Sequence, residues 1–182
     1  IFHPDSGEVE VLGERSTRAA NDRIGYLPEE RGLYKKMTVR RVLAYYASLK
    51  GMTRAATAQA STHWLAKMGL SEWADKKVEA LSKGMAQKIQ FISAVIAKPE
   101  LLILDEPFSG LDPVNLEVLR AAILELRAAG TTVIFSTHDM AMAETMCDFI
   151  FMIYRGRKVL DGTLADIQRQ FGEDTVRVSC AG

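Results

Sequence analysis

The sequence predicts an α/β protein with a mostly parallel sheet and a helical subdomain set against it, on three observations. Two apolar runs, Leu101–Leu104 and Thr132–Phe135, are strand-sized and bounded by turn residues, the pattern of strands buried on both faces. Amphipathic helical stretches alternate with such runs, which is how parallel sheets are built. In the middle of the chain two helical stretches follow one another with no strand between them, which marks the helical subdomain.

In chain order, Glu8–Leu12 alternates polar and apolar residues before Gly13 and reads as an edge or half-buried strand. Arg23–Leu27 is a second short strand, stopped by Pro28. Thr38 is placed to cap a helix whose buried face carries Val39, Val42, Leu43, Tyr46 and Leu49 and which Gly51 closes. A second helix spans about Arg54 to Lys67, and residues 71–80 form a short helical connector. Ser82 opens a third helix with Met85, Ile89, Ile92 and Ile96 as its buried stripe. After Leu101–Leu104, Pro113 starts a helix with Leu116, Leu119, Ile123 and Leu126 inward, ended by Gly130. Thr132–Phe135 is followed by a helix near Met140–Met146. Phe149–Tyr154 and Lys158–Leu160 form a hairpin around Arg155-Gly156. A helix over about Leu164–Phe171 precedes a final strand candidate, Asp174–Ser179.

The bulk properties suit a globular domain: 48% of residues are hydrophobic and 25% charged. Lys+Arg and Asp+Glu each number 23, so no basic excess points to nucleic acid or anionic lipid. Cys147 and Cys180 have no paired spacing and read as reduced thiols. No apolar run approaches the roughly 20 residues of a membrane-spanning helix. Any membrane role is therefore expected to run through a partner. The chain starts at Ile1 in what reads as mid-domain, so it is expected to be a fragment.

The chemistry concentrates where two strands end. Ligands of open α/β sheets bind outside the carboxyl ends of the strands. Leu101–Leu104 delivers Asp105-Glu106-Pro107, and Val133-Ile134-Phe135 delivers Ser136-Thr137-His138-Asp139. Hydrolysis of a nucleoside triphosphate needs a metal to gather phosphate charge, a group to orient water, and a donor toward the γ-phosphate. Asp105 suits the metal role through a coordinated water, Glu106 the polarisation of water, and His138 the donation. Each residue alone has a plain structural explanation, such as capping the next helix; the joint pattern is what carries weight.

These residues resemble the motifs of the ABC ATPases. Leu101–Pro107 looks like their Walker B strand with the catalytic glutamate. Ser109-Gly110-Leu111-Asp112-Pro113 resembles the D-loop, and Ser136–Asp139 the H-switch. Leu81-Ser82-Lys83-Gly84-Met85-Ala86-Gln87-Lys88 resembles the signature motif, and Ile24–Glu29 the Q-loop. The resemblance covers about residues 1–165 with its motifs in order. It implies a P-loop NTPase-like fold with an inserted signature subdomain over about 38–98. Residues 166–182 would then begin a C-terminal extension. It further implies an ATP-binding and ATP-hydrolysing subunit using ATP and Mg²⁺. The site set would be Glu106 and His138 for catalysis, Asp105 and Glu29 for the metal, and Glu29, Ser82, Lys83, Gly84, Asp105 and Asp112 for the nucleotide. The implied partners are a second nucleotide-binding subunit, head to tail, and a transmembrane permease, at the cytoplasmic face of the membrane; no nucleic acid is expected.

Ser82 has its own logic: a helix start offers free N–H groups and a positive dipole end to an anion, and Gly84 lets the backbone approach. Three departures stand out. Lys83 and Met85 replace the common Gly and Gln, so that Lys83 either adds positive charge near the partner's phosphate or faces solvent. Glu29 replaces the common Gln, which predicts slower or differently gated hydrolysis. Both variants resemble a subset of bacterial export-type ATPases. Third, nothing in the 182 residues matches G-x-x-x-x-G-K-[ST], the loop that cradles phosphates. The family places it just upstream of Ile1, so the 182-residue chain alone is expected to hydrolyse no ATP. Two rival readings are a soluble ABC ATPase of DNA repair or translation, and a non-catalytic interaction module. Trp64, Trp73, Tyr45 and Tyr46 read as packing residues and His63 as a solvated one; Leu33 and Tyr34 either meet the permease or fold back on the core.

Overall fold

A computed structural model describes residues 6–15, 20–30 and 32–171. The chain divides into two compact units, residues 1–136 and 137–182. The first holds strand β1 (Ile24–Leu27), helices α1 (Val39–Leu49), α2 (Arg54–Lys67) and α3 (Lys83–Val95), strand β2 (Leu101–Leu104), helix α4 (Pro113–Ala128) and strand β3 (Thr132–Phe135). The second holds α5 (Met140–Met146), β4 (Ile150–Tyr154), β5 (Arg157–Gly162) and α6 (Leu164–Phe171). The expected strand at Asp174–Ser179, His3 and Cys180 lie outside the described residues. No helix among the described residues is long and apolar enough to cross a membrane.

In the first unit the three strands form a parallel sheet in the order β1-β2-β3. The register aligns Leu27, Leu104 and Phe135 in one row, so all three strands end at one edge. Two strand expectations change. Glu8–Leu12 is not a strand: Leu12 and Gly13 both have positive φ (55° and 78°), and Val11 and Glu14 exchange backbone bonds of 2.9 and 3.0 Å across a two-residue turn. That primed geometry folds the chain back before a strand can extend. Likewise β3 is not buried on both faces. Among the described strands only β2 has a neighbour on each side, and Thr132 and Ile134 are exposed.

The helices pack largely as their apolar spacing requires, with two exceptions on α1: Leu49, expected inward, lies in the last turn and is 57% exposed, and Tyr45, read as a packing residue, is exposed too. Thr38, Thr53 and Ser82 cap α1, α2 and α3, each accepting the N–H three residues on. The connector 71–80 contains two 3₁₀ turns and closes on the start of α1: Val39 and Arg40 donate to the carbonyls of Lys76 and Ala74 at 3.0 and 2.8 Å. Trp64 of α2 is buried with its ring edge-on to Phe91 of α3 at 5.9 Å. Lys67 pairs with Glu125, tying α2 to α4.

Helix α3 departs from the expected single stripe. Residues 87–92 are buried on every side, including Gln87, Lys88 and Gln90. The Lys88 ammonium donates to the Met68 carbonyl at 2.8 Å, at the C-terminus of α2 where the helix dipole favours a cation. Burial pulls its pKa below the ordinary lysine value. Helix α3 lies against β1 so closely that a Cβ on Gly25 would stand 2.4 Å from the Ala94 carbonyl oxygen.

In the second unit β4 and β5 pair antiparallel through a turn at Arg155 and Gly156, both with positive φ (48° and 72°). Helix α6 begins with a reciprocal cap: Asp166 N–H donates to the Thr163 hydroxyl oxygen at 3.2 Å, and that hydroxyl donates to Asp166 Oδ2 at 2.6 Å.

Candidate functional site

The strand register determines what gathers at the sheet edge. Beyond the row Leu27–Leu104–Phe135 come Pro28-Glu29, Asp105-Glu106 and Ser136. Backbone bonds continue the ladder one step further: Asp105 N–H donates to Leu27 O at 2.8 Å, and Ser136 N–H to Leu104 O at 2.9 Å. Asp105 and Ser136 are thus held on neighbouring strands. The Ser136 hydroxyl donates to Asp105 Oδ1 at 2.5 Å and accepts the Glu106 backbone N–H at 3.0 Å. Glu106 itself sits at φ 44°, a left-handed conformation that costs a non-glycine residue free energy and persists where the surroundings hold it. Sequence reasoning had Ser136 only as part of a motif; its bridging role needs the strand pairing. Glu29 follows β1 at the same edge and is exposed.

His138 belongs to the second unit, in the turn between Ser136 and α5, whose cap is Asp139: its carboxylate accepts Met142 N–H at 3.1 Å.

Ser82, Lys83 and Gly84 lie at the start of α3. The Ser82 hydroxyl accepts Met85 N–H at 3.2 Å, so it caps as expected. Gly84 faces Leu111 and Asn115: a Cβ there would lie 3.2 Å from Asn115 Nδ2. Lys83 does not simply face solvent. Its ammonium end lies over Gly110, where a Cβ would meet Nζ at 2.5 Å and Cε at 3.1 Å. Gly110, at φ 67°, answers a left-handed backbone conformation, since the flexible end of Lys83 could move aside from a side chain there. Asp112 caps α4, accepting Asn115 N–H at 2.9 Å and Asn115 Nδ2 at 2.5 Å. The Asn115 backbone N–H, followed by its side-chain amide, holds the Asp112 carboxyl below the usual carboxylate range.

Sequence reasoning missed two further residues. Gln87 donates to the Pro107 carbonyl, and Gln90 donates to the carbonyls of Pro28 and Glu30 at 3.3 and 3.2 Å. Both glutamines lie off the apolar stripe of Met85, Ile89, Ile92 and Ile96, and only the seating of α3 between the two strand ends buries them.

Among the described residues no three His, Cys, Asp or Glu converge into a metal cage. A divalent ion at Asp105 would take most of its shell from phosphate and water. Mg²⁺ favours that arrangement, since it dehydrates reluctantly and binds through one or two carboxylates plus substrate phosphates.

Comparison with known proteins agrees with this geometry. Residues 1–109 match the sequence family described as ABC transporter. The ABC transporter ATP-binding protein YhaQ of Bacillus subtilis (strain 168) is 47% identical over 172 residues, covering 94% of this chain and 58% of that protein. The Nod factor export ATP-binding protein I of Burkholderia orbicola (strain AU 1054) is 33% identical over 182 residues, covering 98% of this chain and 60% of its own length. The chain thus spans less than two thirds of those relatives. A solved structure of the ATP-binding subunit of an ABC transporter superposes with a TM-score of 0.85 at 32% identity, covering 94% of this chain and 72% of that one. With its parallel sheet, inserted helices and acidic strand end, the chain belongs to the ATP-binding subunits of the ABC transporter family.

Proposed function

We propose that the protein containing this chain hydrolyses ATP with Mg²⁺ to drive a membrane exporter from the cytoplasmic face. One observation carries the reading. The parallel register brings Glu29, the Asp105–Glu106 pair and Ser136 to one sheet edge, and the Ser136 hydroxyl bridges Asp105 to Glu106. Asp105 and Glu29 would hold the metal ion. The ion, when bound, gathers the phosphate charge. Glu106 polarises the attacking water, and its strained backbone, pinned by Ser136, keeps that carboxylate in a set place. His138 donates to the γ-phosphate.

Ser82, Lys83 and Gly84 present the N-terminus of α3 to the nucleotide held by a second subunit, and Asp112 belongs to the D-loop of the same interface. Two copies, or this chain and a relative, would enclose two ATP molecules head to tail. A transmembrane permease is the other partner, and nucleic acid is not. The exposed edge-to-face rings of Tyr34 and Tyr45, 5.3 Å apart, offer the permease an aromatic contact. Export rather than import is favoured by the Lys83 and Met85 signature and by the export role in the name of the Burkholderia relative.

The test is ATP turnover of the whole protein carrying Glu106→Gln. A lost general base lowers kcat by about 10²–10⁴-fold, with ATP binding retained. Wild-type turnover in that variant would overturn the assignment.

A further inference from the structure

We propose that Gln87 and Gln90 make α3 the positioning element for both candidate acids, Glu106 and Glu29. The proposal rests on the roles assigned to those acids above. The two glutamines are three residues apart and so share a face of α3, and each is 7% exposed. Buried amides of this kind stay only where they are bonded; an aliphatic side chain would fill the same volume without that requirement.

Their partners are not scattered. Gln87 donates to the carbonyl of Pro107, the residue after Glu106. Gln90 donates to the carbonyls of Pro28 and Glu30, the residues on either side of Glu29. Each donor therefore grips the backbone one residue from an acid, at the point where β1 or β2 has ended and the ladder no longer supplies a partner. For Glu106 the hold is two-sided: Ser136 fixes its N–H and Gln87 the next carbonyl, across a residue in a left-handed conformation. Gly25 lets α3 come close enough for the amides to reach. The same helix starts at Ser82, Lys83 and Gly84. A displacement of that start is carried along one rigid element to both acids of its own site.

Gln87→Met and Gln90→Met in the whole protein separate the two ties, since methionine keeps the length and removes the donor. Without nucleotide, Gln90→Met should speed hydrogen exchange in residues 27–30 and Gln87→Met in residues 105–111. The expected change is about three- to ten-fold, the range that loss of one ordinary hydrogen bond produces. Exchange across Ile89–Val95 should stay at the wild-type rate. In turnover, Gln90→Met should raise the Mg²⁺ concentration for half-maximal rate several-fold, and Gln87→Met should lower kcat at saturating Mg²⁺. A merely structural role would leave that split absent.

Unchanged exchange in both segments, or altered exchange with wild-type kcat and Mg²⁺ dependence, would overturn the proposal. If a methionine variant loosens Ile89–Val95 itself, the leucine variants make the same discrimination. A wild type without turnover would refute the ATPase reading alone, because the exchange measurements contain no nucleotide.

Discussion

The contact between α3 and β1 governs where both glutamines reach, and one methyl group probes it. In Gly25→Ala the new Cβ would stand 2.4 Å from Ala94 O, 2.9 Å from Leu102 Cδ1 and 3.0 Å from Pro99 Cγ. The leucine and proline carbons can give way; the Ala94 oxygen is helix backbone and cannot rotate aside. Carbon–oxygen contacts rest at about 3.3 Å or more, so α3 must retreat by roughly 0.9 Å. Overpacking of a well-filled core costs about 1–3 kcal/mol. The upper end applies to a backbone collision, less the ~0.5–1 kcal/mol that alanine gains over glycine in a strand. The net is about 2 kcal/mol. For a protein of this size each kcal/mol moves the melting temperature by about 2–4 °C, so Tm should fall by about 4–8 °C. Thermal unfolding of the whole protein, followed by circular dichroism without nucleotide, measures it. A Tm equal to or above that of the wild type would refute the close seating of α3 on β1, and with it the reach of Gln90 to Pro28 and Glu30.

Other perturbations address the sheet edge. Ser136→Ala removes the donor to Asp105 and the acceptor for Glu106 N–H. Water reaches this half-exposed edge, so the loss should resemble one ordinary hydrogen bond, about 0.5–1.5 kcal/mol or up to roughly ten-fold in kcat; an unchanged kcat would detach Ser136 from the site. Glu29→Gln should raise turnover by removing a carboxylate that repels the γ-phosphate, and an unchanged rate would count against that role. Asp112 predicts a pH dependence. Its folded pKa lies below the unfolded value, so its cap contributes stability above the ordinary aspartate range near pH 4, and that stability is lost as pH falls through the lowered folded value. Asp112→Asn keeps a capping oxygen and should flatten that part of the acid-unfolding curve; an identical acid limb in both proteins would refute it.

The helices were legible because their signals are local. Thr38, Ser82 and Pro113 mark starts, and α2 and α6 fall at the residues expected, about Arg54–Lys67 and Leu164–Phe171, although α2 buries Thr57 and Ser61 beside Trp64 and Leu65 rather than an apolar stripe. The Leu101–Leu104 run is read correctly as a buried strand: Leu101, Leu102 and Leu104, which alternate between its two faces, are all buried. Glu8–Leu12 misled because alternation is weak over five residues, and the positive φ of Leu12, which bends the chain there, has no residue signature.

The sequence by itself determined the family, the order of elements from Ile24 onward and which polar residues stand at each strand end, since all three are written in short contiguous motifs. Only the tertiary structure decided that Leu27, Leu104 and Phe135 align, that Ser136 bridges Asp105 to Glu106, that Lys83 lies over Gly110, and that Gln87 and Gln90 are buried ties. Each joins residues 20 or more positions apart along the chain. Side-chain spacing encodes which face of one element turns inward, but not which neighbour that face will meet.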